Sequence, residues 1–217
     1  MDIGRTVIHY NASLSHQIQL ADCLQRGFES IGIDVFSTPS VGERGNTHVC
    51  LGPWYALRRW SNWGQLIYID RAYWGDPDCV SLHWFSGGEK VFSFGQKQKR
   101  DHPELLPTKK GSKRIFLCDY GQEPFGDFDS VRYHPAQKRG QRPLAEDLAD
   151  HDIAIGRKST ALVDALIAGL KVECSDPNSP VYGIKSRSKR INDLAWHNWN
   201  KDELESGEAL EWLLSNK

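Results

Sequence analysis

Short apolar runs alternate with one-faced helical stripes along this chain. In the first half TVIHYN (6–11), IDVFST (33–38), THVCLG (47–52) and QLIYID (65–70) have strand length and β-branched composition. Between the first two, SLSHQIQLADCLQRGFESIG (13–32) keeps its apolar residues on one helical face and closes at Gly32. PWYALRRWS (53–61) fits a short helix between the third and fourth strands, with Pro53 in its first turn. Strands alternating with helices predict a parallel sheet covered on both faces. CVSLHWFS (79–86) and KVFSFG (90–95) break that rhythm and predict a hairpin around Gly87-Gly88.

Residues 96–112 are polar, basic and proline-containing, without periodicity, and predict a linker. Four further strands follow: RIFLCDYG (114–121), SVRYH (130–134), DIAIG (152–156) and KVECS (171–175), with helices over 143–150 and 159–168. The tail holds two more helical stretches, RINDLAWHNW (190–199) and DELESGEALEWLLSN (202–216), the second with acids in its first turn. The expected architecture is α/β, two small Rossmann-like lobes with parallel sheets. An N-terminal lobe spans 1–95, a basic linker 96–112, and a C-terminal lobe with a helical tail 113–217.

Residues 152–175 carry the clearest chemistry. The helix after DIAIG opens at Ser159-Thr160, whose hydroxyls are suited to cap backbone N–H groups. Arg157 and Lys158 precede that start and add positive charge to the positive end of the helix dipole. Such a terminus suits a phosphate or diphosphate, and Asp164, one turn deeper, suits ribose hydroxyls. Ser-Thr is also the ordinary cap of any α/β helix, so the pattern by itself favours plain scaffolding over a ligand site.

The block Ser159-Thr160, Asp164-Ala165-Leu166, Gly169 and Val172, preceded by His134-Pro135 at a strand end, resembles the donor-binding half of GT-B type glycosyltransferases. It is most similar to those of capsule polysaccharides and bacteriophages, with Asp164 where Glu is usual and Lys171 where Pro is usual. The resemblance covers about residues 114–183. It implies a compact GT-B arrangement, a nucleotide-sugar donor as substrate, and a phosphate or leaving-group role for His134. Trp199, Asp202, Glu205, Ser206, Gly207, Glu208 and Ala209 resemble the C-terminal segment of phage and prophage proteins.

Acceptor-side candidates lie in the first half. Asp70 and Arg71 follow strand QLIYID, and ligands of parallel sheets bind beyond the carboxyl ends of strands. Asp70 is a candidate general base, with His16 the other candidate, and Arg71 a phosphate or acceptor contact. A structural ion pair at the strand end is the competing reading of Asp70-Arg71. Tyr73 and Trp74 follow in a Gly- and Pro-bearing loop and are candidate walls of an acceptor pocket. Most of the eight Trp, including Trp54, Trp60, Trp63 and Trp84, fit core packing.

The net charge of −1 excludes a globally basic nucleic-acid binder, yet basic clusters at 97–114, 138–142 and 185–190 would suit DNA if they shared a face. Five widely spaced cysteines without a C-x-x-C pair point to a reducing cytoplasm, the host's if the chain is phage-encoded. No membrane partner is expected. Dinucleotide, P-loop, nucleophile-elbow and zincin motifs do not occur, and FGDFD (Asp127–Asp129) reads as a turn, so no obligatory cofactor or metal is expected. The expectation is glycosyl transfer from a nucleotide-sugar to an acceptor hydroxyl, on a modified base in phage DNA or on a polysaccharide. The alternative is a non-catalytic nucleotide- or DNA-binding accessory protein.

Overall fold

The computed structural model describes residues 3–39, 45–51, 64–75, 78–87 and 89–216. The helix expected over 53–61, with Trp54, Trp60 and Trp63, lies outside the described residues, as does Gly88. The chain forms two compact units, Met1–Ser93 with Trp196–Lys217, and Phe94–Ala195. The C-terminal segment therefore folds with the N-terminal residues, where the sequence pattern had assigned it to the second lobe.

In the first unit, β1 (Thr6–His9), β2 (Val35–Thr38), β3 (Thr47–Leu51) and β4 (Gln65–Arg71) are parallel, in the order β2-β1-β3-β4. The expected hairpin extends the sheet: β5 (Val80–Ser86) runs antiparallel to β4, and β6 (Glu89–Val91) antiparallel to β5. One face is closed by α1 (Ser15–Ser30), through Ala21, Leu24 and Phe28 packed on Ile8, Val49 and Ile67.

The second unit repeats the parallel pattern. β7 (Arg114–Leu117), β8 (Ser130–Arg132), β9 (Ile153–Gly156) and β10 (Lys171–Cys174) lie in the order β8-β7-β9-β10, all parallel. Numbered within each unit, both sheets read 2-1-3-4, which gives the chain its mixed α/β, Rossmann-like character. α2 (Leu144–Ala149) joins β8 to β9, and α3 (Ala161–Ile167) joins β9 to β10. Gly156 lets α3 approach the sheet, since a Cβ there would fall 2.8 Å from Leu117 O and 3.3 Å from Leu162. Gly169 closes α3 at φ +89°, as its position implies.

The segment expected to be a linker is tied along this unit. Leu106 N–H donates to Ile167 O and Lys109 N–H to Gly169 O, while Arg100 N–H donates to the Asn192 side chain. Its polar sequence reflects a hydrogen-bonded strap rather than a tether.

After α4 (Arg187–Ala195) the chain returns to the first unit as β11 (Asn198–Trp199), antiparallel to β5. The long helix expected over 202–216 is two, α5 (Lys201–Glu205) and α6 (Glu208–Ser215). Gly207, at φ +86°, breaks them, and a Cβ there would fall 2.5 Å from the Ile31 side chain. Trp199, Leu204, Leu210 and Leu213 complete the first core, and the Trp84 indole N–H donates to Leu213 O at 2.9 Å.

Candidate functional site

The carboxyl ends of β8, β7, β9 and β10 lie on one edge of the second sheet, because all four strands are parallel. The strand order reverses between β7 and β9, and open α/β sheets hold ligands in the crevice at that reversal. Asp119 leaves β7 there, and its Oδ2 accepts the Lys158 backbone N–H at 2.9 Å. Burial raises the Asp119 carboxyl above the usual aspartate value, against the Lys158 amide and the Arg157 and Lys158 charges, which lower it.

Two cations flank this bond at the end of β9. Arg157 Nη2 and Lys158 Nζ lie 3.5 and 3.6 Å from Asp176 Oδ2, a nearly buried carboxylate just beyond β10. Asp176 Oδ1 accepts the Asn178 N–H at 3.0 Å, which fixes the carboxylate beneath the two cations. Both cationic side chains stay more than a third exposed, so their outer faces point to solvent.

On the other side of β7, His134 follows β8 and is exposed. Its Nδ1 accepts the Ala136 N–H at 3.2 Å, which in the neutral ring leaves Nε2 as the N–H donor. The Tyr120 ring, 72% exposed, meets the His134 ring edge-on at 5.6 Å. One sheet edge thus gathers His134, Arg157, Lys158 and Ser159 with Asp119, Tyr120 and Asp176. It offers two cations, an N–H donor, two carboxylates and an open aromatic face.

Several expected roles change. The Ser159 and Thr160 hydroxyls do not cap α3: Thr160 makes no side-chain cap bond, and the first turn closes through the Ser159 and Thr160 carbonyls. Asp164 lies apart from the strand-end group, in a groove between α2 and α3 that none of the other donor-side candidates lines. Burial pushes its carboxyl up to about 6.

On the first unit, Asp70 at the end of β4 is already occupied. Its Oδ2 accepts from Lys90 Nζ at 2.7 Å and its Oδ1 from the Arg71 N–H at 2.8 Å. Arg71 is exposed beside it, and His16 is exposed on the first turn of α1. Tyr73 is a core residue rather than a pocket wall: its hydroxyl meets His83 Nε2 at 3.2 Å and its N–H donates to Asn198 Oδ1. Trp74 is half-buried, with its ring tilted against Tyr73 at 6.3 Å.

Part of each basic cluster is engaged within the fold. Lys109 Nζ donates to the carbonyls of Leu148, Ala149 and His151, at the end of α2. Arg114 pairs with Glu173, Arg142 with Asp147 and Asp150, and Arg187 binds the carbonyls of Leu106 and Leu166. Arg190 lies over the Phe94 ring at 4.1 Å. Among the described residues no group of three His, Cys, Asp or Glu side chains is placed to hold a metal ion. No helix there is long and apolar enough to cross a membrane.

Asp119 and Tyr120 are hidden in the sequence because RIFLCDYG reads as one unbroken strand, while Asp176 follows directly on KVECS, where strand-end reasoning would reach it. β7 ends at Leu117, so the strand-end reasoning applied to Asp70 pointed equally to Asp119 and Tyr120.

No protein-family model matches the chain, and no curated protein matches it. A solved structure described as a sugar transporter from Clostridium phytofermentans is similar at 12% identity with a TM-score of 0.28. That alignment covers 99% of this chain and 94% of that one.

Proposed function

We propose that the second unit binds a nucleotide through its phosphates at the carboxyl edge of the β8-β7-β9-β10 sheet, and that the bound molecule is a nucleotide-sugar. One observation carries this reading. Asp119, Arg157 and Lys158 converge at the reversal of strand order, where a doubly wound sheet leaves a crevice. Arg157 and Lys158 meet the phosphate oxygens, and His134 Nε2–H donates to the leaving diphosphate. Tyr120 offers a face to the base, and Asp119 rather than Asp164 is the carboxylate placed for ribose hydroxyls.

The reaction proposed for such a donor is glycosyl transfer, in the manner of the GT-B enzymes that residues 114–183 resemble. The acceptor O–H gives its proton to a general base. The acceptor oxygen then bonds the anomeric carbon as the bond to diphosphate breaks, and the nucleoside diphosphate leaves with its charge held by the cations. The acceptor is a modified base in phage DNA or a polysaccharide hydroxyl. One observation favours the non-catalytic alternative, nucleotide binding without transfer: Asp70 is committed to Lys90 and is not poised as a base.

Titration of the 15N-labelled chain with UDP, GDP, CMP, ADP and their sugars tests this. Binding by one nucleotide family that shifts the amides of 118–120 and 157–160, and is lost in Arg157→Ala/Lys158→Ala, supports the site. At about 100 times its dissociation constant that ligand adds about 2.7 kcal/mol of stability. Absence of binding by all of them rejects the reading. Binding with no diphosphate release in the presence of acceptors selects the non-catalytic form.

A further inference from the structure

A groove of about 580 Å³ runs between α2, α3 and the strap that carries Leu106 and Lys109. Its volume is in the range of small-ligand sites. Leu106, Leu144, Leu148 and Ile167 give it apolar walls, and Leu106 is 53% exposed. Two charged residues line it, Asp164 and Lys109.

They do not serve one another. The Lys109 ammonium has three N–H donors, and three backbone carbonyls at the end of α2 take them at 2.6–2.9 Å. That arrangement neutralises the negative end of the α2 dipole. Among the described residues no cation pairs with Asp164, and the one influence on its carboxyl is burial. A carboxylate drawn out of water without a partner is costly, and a cation placed against it relieves the cost. The groove therefore presents an aliphatic surface and one carboxylate that no cation of the described residues pairs, the Lys109 donors being taken by carbonyls.

We propose that this groove binds a small aliphatic monoamine, its alkyl chain on Leu106, Leu144, Leu148 and Ile167 and its ammonium on the Asp164 carboxylate. A second cationic group on the ligand would find no further acid in the lining. The site is independent of the nucleotide reading, because none of the strand-end residues lines it.

The test compares pentylamine with pentan-1-ol, which share the chain and differ in charge, by titration of the 15N-labelled full chain near neutral pH. Both are expected to move the amides of α2 and α3, with pentylamine half-saturating at about tenfold lower concentration, as a charged hydrogen bond implies. Asp164→Asn should bring the amine down to the level of the alcohol, and Ala168→Leu, which fills the groove, should abolish both. A readout on the unaltered chain accompanies these variants. The Asp164 carboxyl carbon should titrate at lower pH with pentylamine present and unchanged with pentan-1-ol. Equal binding of amine and alcohol, shifts away from α2 and α3, no binding, or an unmoved Asp164 titration would each overturn the proposal.

Discussion

The Lys158 backbone N–H donates to Asp119 Oδ2 at 2.9 Å, tying the ends of β7 and β9 together where the strand order of the second sheet reverses. This bond shapes the turn that presents Arg157 and Lys158. Asp119→Ala leaves a partly buried amide without its acceptor and should cost about 1–2 kcal/mol of stability. Asp119→Asn keeps an acceptor oxygen and should cost much less. Hydrogen exchange at the Lys158 amide is the direct readout: it should accelerate in the Ala variant and stay slow in the Asn variant. Equal protection in both would mean that other contacts hold the turn.

Asp164 makes the stability of the second unit depend on pH. Its carboxyl is raised from 3.8 to about 6 by burial, so between those values the folded state holds a proton that the unfolded state has released. Stability is therefore highest at the acid end of that window and falls as pH rises through it, levelling off above about 6. A shift of this size corresponds to at most about 3 kcal/mol. Urea unfolding followed through the amides of 161–168 should show the fall, and Asp164→Asn should remove it and unfold at higher urea near neutral pH. A wild-type profile parallel to that of the variant would rule this out.

Periodicity made most of the elements legible. The strands of both sheets apart from β11, α1 and the Gly169 closure of α3 each follow from a local pattern of apolar residues and turn chemistry, whereas β11 falls inside the helix expected over 190–199. Three features depend on contacts distant in sequence and left no local mark. The tail at 196–217 reads as a generic amphipathic stretch, and the pairing of β11 with β5 together with the burial of Trp199 and Leu213 assigns it to the first unit. The polar strap at 96–112 is ordered by backbone bonds to α3 and side-chain bonds to α4, which composition does not report. Strand ends were the third case. CDYG continues an apolar run without a break, so the residues that face the crevice were read as part of the ladder.

A stacked histidine pair should make the first unit acid-labile. His83 and His197 lie ring to ring at 4.6 Å, both fully enclosed, with Phe92 edge-on to each and Tyr73 Oη on His83 Nε2. Burial first, then the His197 and Lys90 charges, hold the His83 imidazole well below its usual value. The unfolded ring titrates near 6.5, so below that pH the unfolded state binds a proton the folded ring refuses. Stability then falls with falling pH, by up to about 1.4 kcal/mol per pH unit for the ring. All eight Trp belong to residues 1–93 and 196–217, so tryptophan fluorescence follows this unit alone. The double variant Tyr73→Phe/His83→Phe removes the ring and its phenol partner together, and its acid limb should be shallower. An unchanged limb would place the acid sensitivity in other groups.

Gly27 decides whether the C-terminal segment docks. A Cβ built on Gly27 would fall 1.9 Å from the Leu204 carbonyl oxygen and 3.1 Å from the Leu210 side chain, so α1 and α5 touch backbone to backbone there. Backbone atoms do not yield as a flexible side chain does, so Gly27→Ala must push α5 outward and loosen Leu204 and Leu210 from the core. The expected cost is about 1–3 kcal/mol, reduced by the helix preference of alanine over glycine, about 1 kcal/mol. Gly32→Ala is the control of opposite design. That residue has open space around it but a φ of +76°, so its cost is backbone strain with no effect on docking. Chemical denaturation read by tryptophan fluorescence gives both costs, and proteolysis of the native proteins separates their causes. Gly27→Ala should expose 196–217 to cleavage while Gly32→Ala leaves it protected. Equal protection in the two would show that α5 reaches its place without the close approach at Gly27.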